Sequence, residues 1–168
     1  MPECCSTNVG KNRVCAEGAE YVQRFLEEYP GRIAVVSCEG ACVKGEVARL
    51  SANMVSYRRA RDKTVRICLG DAVTANSGFS KLVERAPRII AIEGCPLCCG
   101  TVMLRQRFPD IKVQALIATN YYEYAKDKFE IFDMDHEEAT RHATAVSDEV
   151  MKLVEGKEPA KATNKLCC

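Results

Sequence analysis

No stretch of this sequence approaches the ~18 consecutive apolar residues of a membrane-spanning helix, and charge of neither sign prevails. Twenty-four basic residues stand against 23 acidic ones, for a net charge of +1 and a pI near 7.4. So neutral a balance generates no field for gathering nucleic acid or an anionic membrane surface. The densest positive run, Arg58-Arg59-Ala60-Arg61-Asp62-Lys63, carries its own acid and reads as a solvated helix end. Met1-Pro2-Glu3-Cys4-Cys5 lacks a basic segment followed by an apolar run, so no signal peptide is expected and a cytoplasmic location is. Also missing are G-x-x-x-x-G-K-[ST] and a G-x-G-x-x-G after a strand, the glycine loops that cradle phosphates. There is no internal repeat.

What is present is enough for a core. The 168 residues are 47% hydrophobic and 28% charged, the size and balance of one ordinary domain. Eleven cysteines are the outlier. An odd number cannot pair completely within the chain, and a chain with its own core needs no disulfide framework. In a reducing compartment, clustered thiols point to metal binding or redox work. Some cysteines serve simply as small buried apolar residues, and Cys15 is read that way.

Helical and strand patterns alternate along the chain. Ala16 to Tyr29 carries Tyr21, Val22, Phe25 and Leu26 at helical spacing and ends at Pro30-Gly31. Arg32 to Ser37 is a nearly all-apolar strand, and a helix is expected from Cys42 to about Arg58. Thr64 to Leu69 reads as a second strand and Gly78 to Arg85 as a short helix. Arg88 to Glu93 is a third strand, Leu97 to Phe108 a helix and Ile111 to Ile117 a fourth strand. Asp135 caps a last helix that ends near Glu155-Gly156. Such alternation implies right-handed βαβ units and a parallel sheet. The expected fold is α/β, a three-layer Rossmann-like sandwich with a four-stranded, mainly parallel sheet in the order 2-1-3-4. Residues 1–14 are expected to form a flexible arm, 15–156 the domain and 157–168 a flexible tail.

Cys38, Cys68 and Cys95 each fall at or just beyond the carboxyl end of an expected strand. In open α/β sheets those ends lie along one edge, where ligands bind. Three thiols distant in sequence should therefore converge. Cys42, Cys98 and Cys99 lie at the starts of the following helices, and pairs three or four residues apart can reach one ion. Helix N-termini favour thiolate over thiol, the form that binds metal. Pro96 suits a first helical position.

The segment Ile90-Ala91-Ile92-Glu93-Gly94-Cys95-Pro96-Leu97-Cys98-Cys99 resembles the signature of the DGC-domain family of zinc-binding proteins: an apolar strand, Asp-Gly-Cys-Pro, two residues and another cysteine. Ser37-Cys38-Glu39-Gly40-Ala41 with Gly45, Ala48, Ala52 and Asn53 is similar to the family's first cysteine and helix. Cys68-Leu69-Gly70 is similar to its second cysteine, and Phe132-Asp133-Met134-Asp135 to its lead into the final helix. The resemblance covers roughly residues 32–155. It implies zinc and a four-cysteine ligand set of Cys38, Cys68, Cys95 and Cys99. Glu93 stands where the signature has aspartate. Cys42 and Cys98 are additional candidate ligands, and with six sulfurs an iron–sulfur cluster is the alternative cofactor. The function expected is a metal-binding protein with a carrier, sensing or structural role; the alternative is a thiol-redox or metal-dependent enzyme on the same cysteines.

Other residues read more plainly. Cys99 and Arg105 have the spacing of a thiol phosphatase loop, but the bulky residues between them should continue a helix. His136 and His142 are six apart, on different helix faces, and read as surface residues. Tyr121, Tyr122 and Tyr124 could line the crevice, pack in the core or form a dimer face. Asp71 and Glu93 read as helix caps or salt-link partners. Cys167 and Cys168 read as a mobile thiol arm or a chance end. The partner expected is a metal ion, with no nucleic acid and no membrane; a protein partner or homodimer stays open.

Overall fold

A run such as Ile33-Ala34-Val35-Val36 is apolar on both faces, so both faces need a cover. In the computed structural model, which describes residues 16–39, 42–74 and 77–160, helices supply it. Helix α1 (Ala16–Glu28) leads into strand β1 (Ile33–Ser37), α2 (Val43–Met54) and β2 (Thr64–Arg66). Helices α3 (Leu69–Val73) and α4 (Gly78–Arg85) precede β3 (Ile89–Glu93). Then come α5 (Cys99–Arg107), β4 (Val113–Ile117) and, after two short 3₁₀ turns, α6 (His136–Val154). The four strands form one all-parallel sheet in the order β2-β1-β3-β4. The chain turns from one side of β1 to the other between β2 and β3, which places the switch point between β1 and β3.

Strand residues alternate between two cores, as the period of two requires. Val35, Ile90, Ile92 and Leu116 pack under α2 and α6 with Val47, Ala143, Val146 and Val150. Ala34, Val36, Ile67, Ile89 and Ala91 face Val22, Leu82, Val83 and Leu104 from α1, α4 and α5. Asp135 caps α6, its carboxylate accepting the Glu138 N–H at 2.8 Å. Beyond α6, the Lys157 N–H donates to the Lys152 carbonyl at 2.8 Å and the Ala160 N–H to Glu149 Oε2 at 2.7 Å. Among the described residues, no helix is long and apolar enough to cross a membrane.

Three local expectations need correction. The second strand stops at Arg66, and Leu69 already begins α3, because Cys68 accepts the Ala72 N–H and turns the chain into a helix. The helix expected from Leu97 starts at Cys99. Pro96 occupies the second position of a tight turn closed by the Cys98 N–H on the Cys95 carbonyl at 3.1 Å, where its fixed φ is equally suited. Helix α2 widens at its end into a π-helix, Val55–Arg59, with the Ala60 N–H reaching back to the Val55 carbonyl at 2.8 Å. The arm with Cys4 and Cys5, Cys15, the Gly40-Ala41 turn, and Cys167 and Cys168 lie outside the described residues.

Candidate metal centre

The parallel register sets the cysteines in order along one edge. Ser37 is opposite Ile92, and Val35 is opposite Arg66. One step further, Cys38 lies beside Glu93, tied there by its N–H on the Ile92 carbonyl at 2.9 Å. Cys68 follows β2 by two residues and Cys95 follows β3 by two. All three therefore stand at the carboxyl edge, on neighbouring strands about 4.8 Å apart. Cys42, Cys68, Cys95 and Cys99 are free thiols; Cys68 and Cys99 are exposed, and Cys38, Cys42 and Cys95 are half-buried.

Glu93 explains how the segment after β3 is held. Its side chain is only 1% exposed. It points under the start of α5 and accepts the Gly100 N–H at 3.2 Å, the Thr101 N–H at 2.5 Å and the Thr101 hydroxyl at 2.6 Å. A carboxylate satisfying unpaired N–H groups at a helix N-terminus is favourable in both hydrogen bonding and dipole. A Cβ on Gly100 would lie 3.1 Å from Glu93 Oε1, so glycine there leaves room for the carboxylate. The expectation of a capping role for Glu93 is met, while Asp71 accepts a hydrogen bond from Ser77 and so joins α3 to α4.

Cys98, at the N-cap of α5, has φ of 50°, the left-handed region that L-residues avoid at a cost of about 1–2 kcal/mol. The twist buries Cys98, 2% exposed, against Ala115 and Ile117 while Cys99 faces outward. Cys98 is disulfide-bonded, so it is not a thiolate in this structure.

Gly94 brings the β3 end against α2. A Cβ there would lie 2.8 Å from the Lys44 carbonyl carbon and oxygen and 2.9 Å from the Gly45 nitrogen. Backbone cannot swing aside as a flexible side chain can. Gly94→Ala is therefore expected to cost about 1–3 kcal/mol. The melting temperature should fall by about 3–10 °C for a chain of this size. An unchanged melting curve would show that the two segments do not meet this closely.

The close approach gathers a polar group around Cys42 and Cys95. The Lys44 ammonium lies 4.9 Å from the Tyr124 ring centre. The Tyr124 hydroxyl beside it is the main reason its pKa is raised, with Cys95 and Cys42 acting in the same sense. Burial holds the Tyr122 phenol above its ordinary range, with smaller contributions from Tyr124, Cys42 and Cys95. The Tyr122 ring stacks on His142 at 4.5 Å. Here the surface reading of His142 fails: its side chain is only 17% exposed, because that face of α6 packs against Tyr122, whereas His136 is exposed as expected. All three tyrosines pack against the α2–α6 core.

On the other side of β1, Cys68 opens onto a cavity of about 340 Å³ with Glu39, Arg49, Asn53 and Arg66. Arg66 donates to Asn53 Oδ1 at 3.2 Å, to the Ile67 carbonyl at 2.5 Å and to Ser37 Oγ at 2.6 Å, and pairs with Glu39. It thus pins the residues on either side of Cys38. The start of α5 lies close to Cys68, for a Cβ on Gly100 would touch Leu69 Cδ2 at 3.4 Å.

The sheet edge thus carries Cys38 at its centre, Cys42 and Cys95 toward α2, and Cys68 and Cys99 toward α3 and α5. Among the described residues, no group of three or more His, Cys, Asp or Glu side chains stands within metal-holding range. Cys99 to Arg105 lies within helix α5, as the helical reading of that stretch required, so these residues form no phosphate loop. Sequence reasoning missed Lys44 and Arg66. The signal for Lys44 was its place two residues after Cys42 at a helix start; Arg66 had only its position at a strand end. The family model of the DGC domain matches residues 34–146. No curated protein and no solved structure matches the chain.

Proposed function

The chain belongs to the DGC-domain family, and on that premise we propose that it binds zinc through the thiolates of Cys38, Cys68, Cys95 and Cys99 in a carrier, sensing or structural role. The observation that carries this reading is the placement of these four cysteines beyond the carboxyl ends of three adjacent parallel strands. Zinc favours four such ligands in a tetrahedron, with Zn–S bonds of about 2.3 Å. The donor set fits in kind and in its place on the sheet. The side chains as they lie do not enclose an ion, so closing the site would take rotation of the exposed Cys68 and Cys99 thiols. When bound, zinc would supply a redox-silent crosslink between strand ends; the protein's own share is to hold the ligands near one another through Glu93, Gly94 and Arg66.

A second reading has its own observation. Cys42 is a further free thiol next to the Cys95 surroundings, and an iron–sulfur cluster also takes thiolate ligands. Protein purified without oxygen and analysed for metal and visible absorbance separates the two. Colourless protein with about one zinc per chain supports the zinc reading. Brown protein containing iron and acid-labile sulfide, even when zinc is supplied during expression, would overturn it.

A further inference from the structure

A separate cavity lies away from the cysteines. It has a volume of about 310 Å³ and sits between α1, the π-helical end of α2 and the edge strand β2. That volume is at the lower end of the ~300–1,000 Å³ typical of small-molecule sites. Three features give it a chemical character.

The first is a buried hydroxyl. Ser56 is only 3% exposed and lines the cavity, yet its Oγ has no hydrogen-bond partner among the described residues. Ser56 belongs to the π-helix, a departure from α-helical geometry that is common at functional sites. The hydroxyl itself has almost no accessible surface and lies just behind the cavity wall, where leaving it unpaired is unfavourable.

The second is uncompensated positive charge. Arg24, Arg32 and Arg61 line the cavity against a single carboxylate, Glu28. Among the described residues, neither Arg24 nor Arg61 has an ion-pair partner. Arg32 is fixed: its guanidinium lies 4.1 Å from the Tyr29 ring centre and donates to the Arg61 carbonyl at 2.6 Å. Arg66 also reaches the cavity but is already paired with Glu39.

The third is flat aromatic surface. Tyr29 and Tyr57 line the cavity and stay 44% and 61% exposed. Ordinary packing buries such rings. Arg32 already covers one face of Tyr29, so the more exposed Tyr57 ring offers the stacking face for a planar ligand.

We propose that this cavity binds a small aromatic ring carrying a phosphate, the chemistry of a nucleoside monophosphate. The ring would stack on Tyr57 at the mouth, and the phosphate would meet Arg24 and Arg61. Two unpaired guanidinium groups suit a doubly charged phosphate, which they can grip in bidentate fashion. The site stands independently of the cysteine edge.

Titration calorimetry of the full chain with adenosine monophosphate tests this, with adenosine and inorganic phosphate as separate titrants. Saturable binding of the monophosphate is expected, with each half-ligand at least tenfold weaker. Arg61→Ala, on an exposed side chain, should weaken binding about tenfold and blunt its salt dependence. Tyr57→Ala, which removes the exposed stacking ring, should weaken binding about fivefold. Cys95→Ser should bind like the parent chain. The proposal is overturned by absence of saturable binding or by inorganic phosphate binding as tightly as the monophosphate. It is equally overturned if neither Arg61→Ala nor Tyr57→Ala alters affinity.

Discussion

Cys95→Ser should emerge from expression with almost no zinc, where the parent chain holds about one ion per chain. Cys95 follows β3 at the switch point, with Cys38 on the adjacent strand and Cys99 four residues on. It thus has a proposed partner on either side. A serine hydroxyl is a poor substitute for thiolate toward zinc. Since loss of a supporting group around a metal already costs about 10–100-fold in affinity, loss of this ligand should exceed ~100-fold by the same measure. Competition with a chromogenic chelator reads that directly. Cys98→Ser is the control. Cys98 is buried beneath α5 rather than open to the edge, so folded Cys98→Ser protein should keep its zinc. Full zinc retention by Cys95→Ser would remove Cys95 from the ligand set, and zinc loss by folded Cys98→Ser would place Cys98 in it.

Glu93→Ala should be among the most destabilising single substitutions in the chain. It removes a buried carboxylate and leaves the Gly100 N–H, the Thr101 N–H and the Thr101 hydroxyl without their acceptor. A buried donor that loses its partner costs about 1–3 kcal/mol. Relief of the buried charge offsets part of that, and a net loss of about 3 kcal/mol is expected, which lowers the melting temperature by roughly 6–12 °C. Glu93→Asp keeps the charge but is one methylene shorter, so it should reach fewer of the three donors and fall between the parent and the alanine variant. Thermal denaturation followed by circular dichroism distinguishes these outcomes. Equal melting of parent and Glu93→Ala would mean that α5 does not depend on this cap. The effect should extend to metal affinity, because α5 carries Cys99 on its first residue.

Much of this arrangement could be read beforehand, for identifiable reasons. Val35, Ile90 and Leu116 sit in apolar runs of strand length bounded by turn residues, so the strands and their order followed from simple alternation. Asp135 announced the start of α6 by its capping chemistry. The edge strand β2 was overestimated. An apolar run does not reveal where pairing stops, and Leu69 is as well buried in α3 as it would be in a strand. Pro96 was placed in a helix because its fixed φ suits both a helix start and a turn; the Cys98 N–H on the Cys95 carbonyl decides for the turn. His142 was assigned to the surface because spacing along a helix says nothing about what packs against each face, and Tyr122 arrives from a distant loop.

From the sequence by itself came a single α/β domain, its parallel sheet and the common edge on which Cys38, Cys68 and Cys95 fall. These follow from hydrophobic period and from the geometric rule that parallel strands end together. Only the tertiary structure decided how that edge is built. It set Glu93 beneath α5, pressed Gly94 against Lys44, spread Arg66 across Ser37 and Glu39, and opened a cavity between α1, the π-helix and β2 on another flank. The Gly94 and Arg66 contacts join residues far apart in the chain. Local preference cannot specify them, because each depends on which surfaces the packed helices bring together.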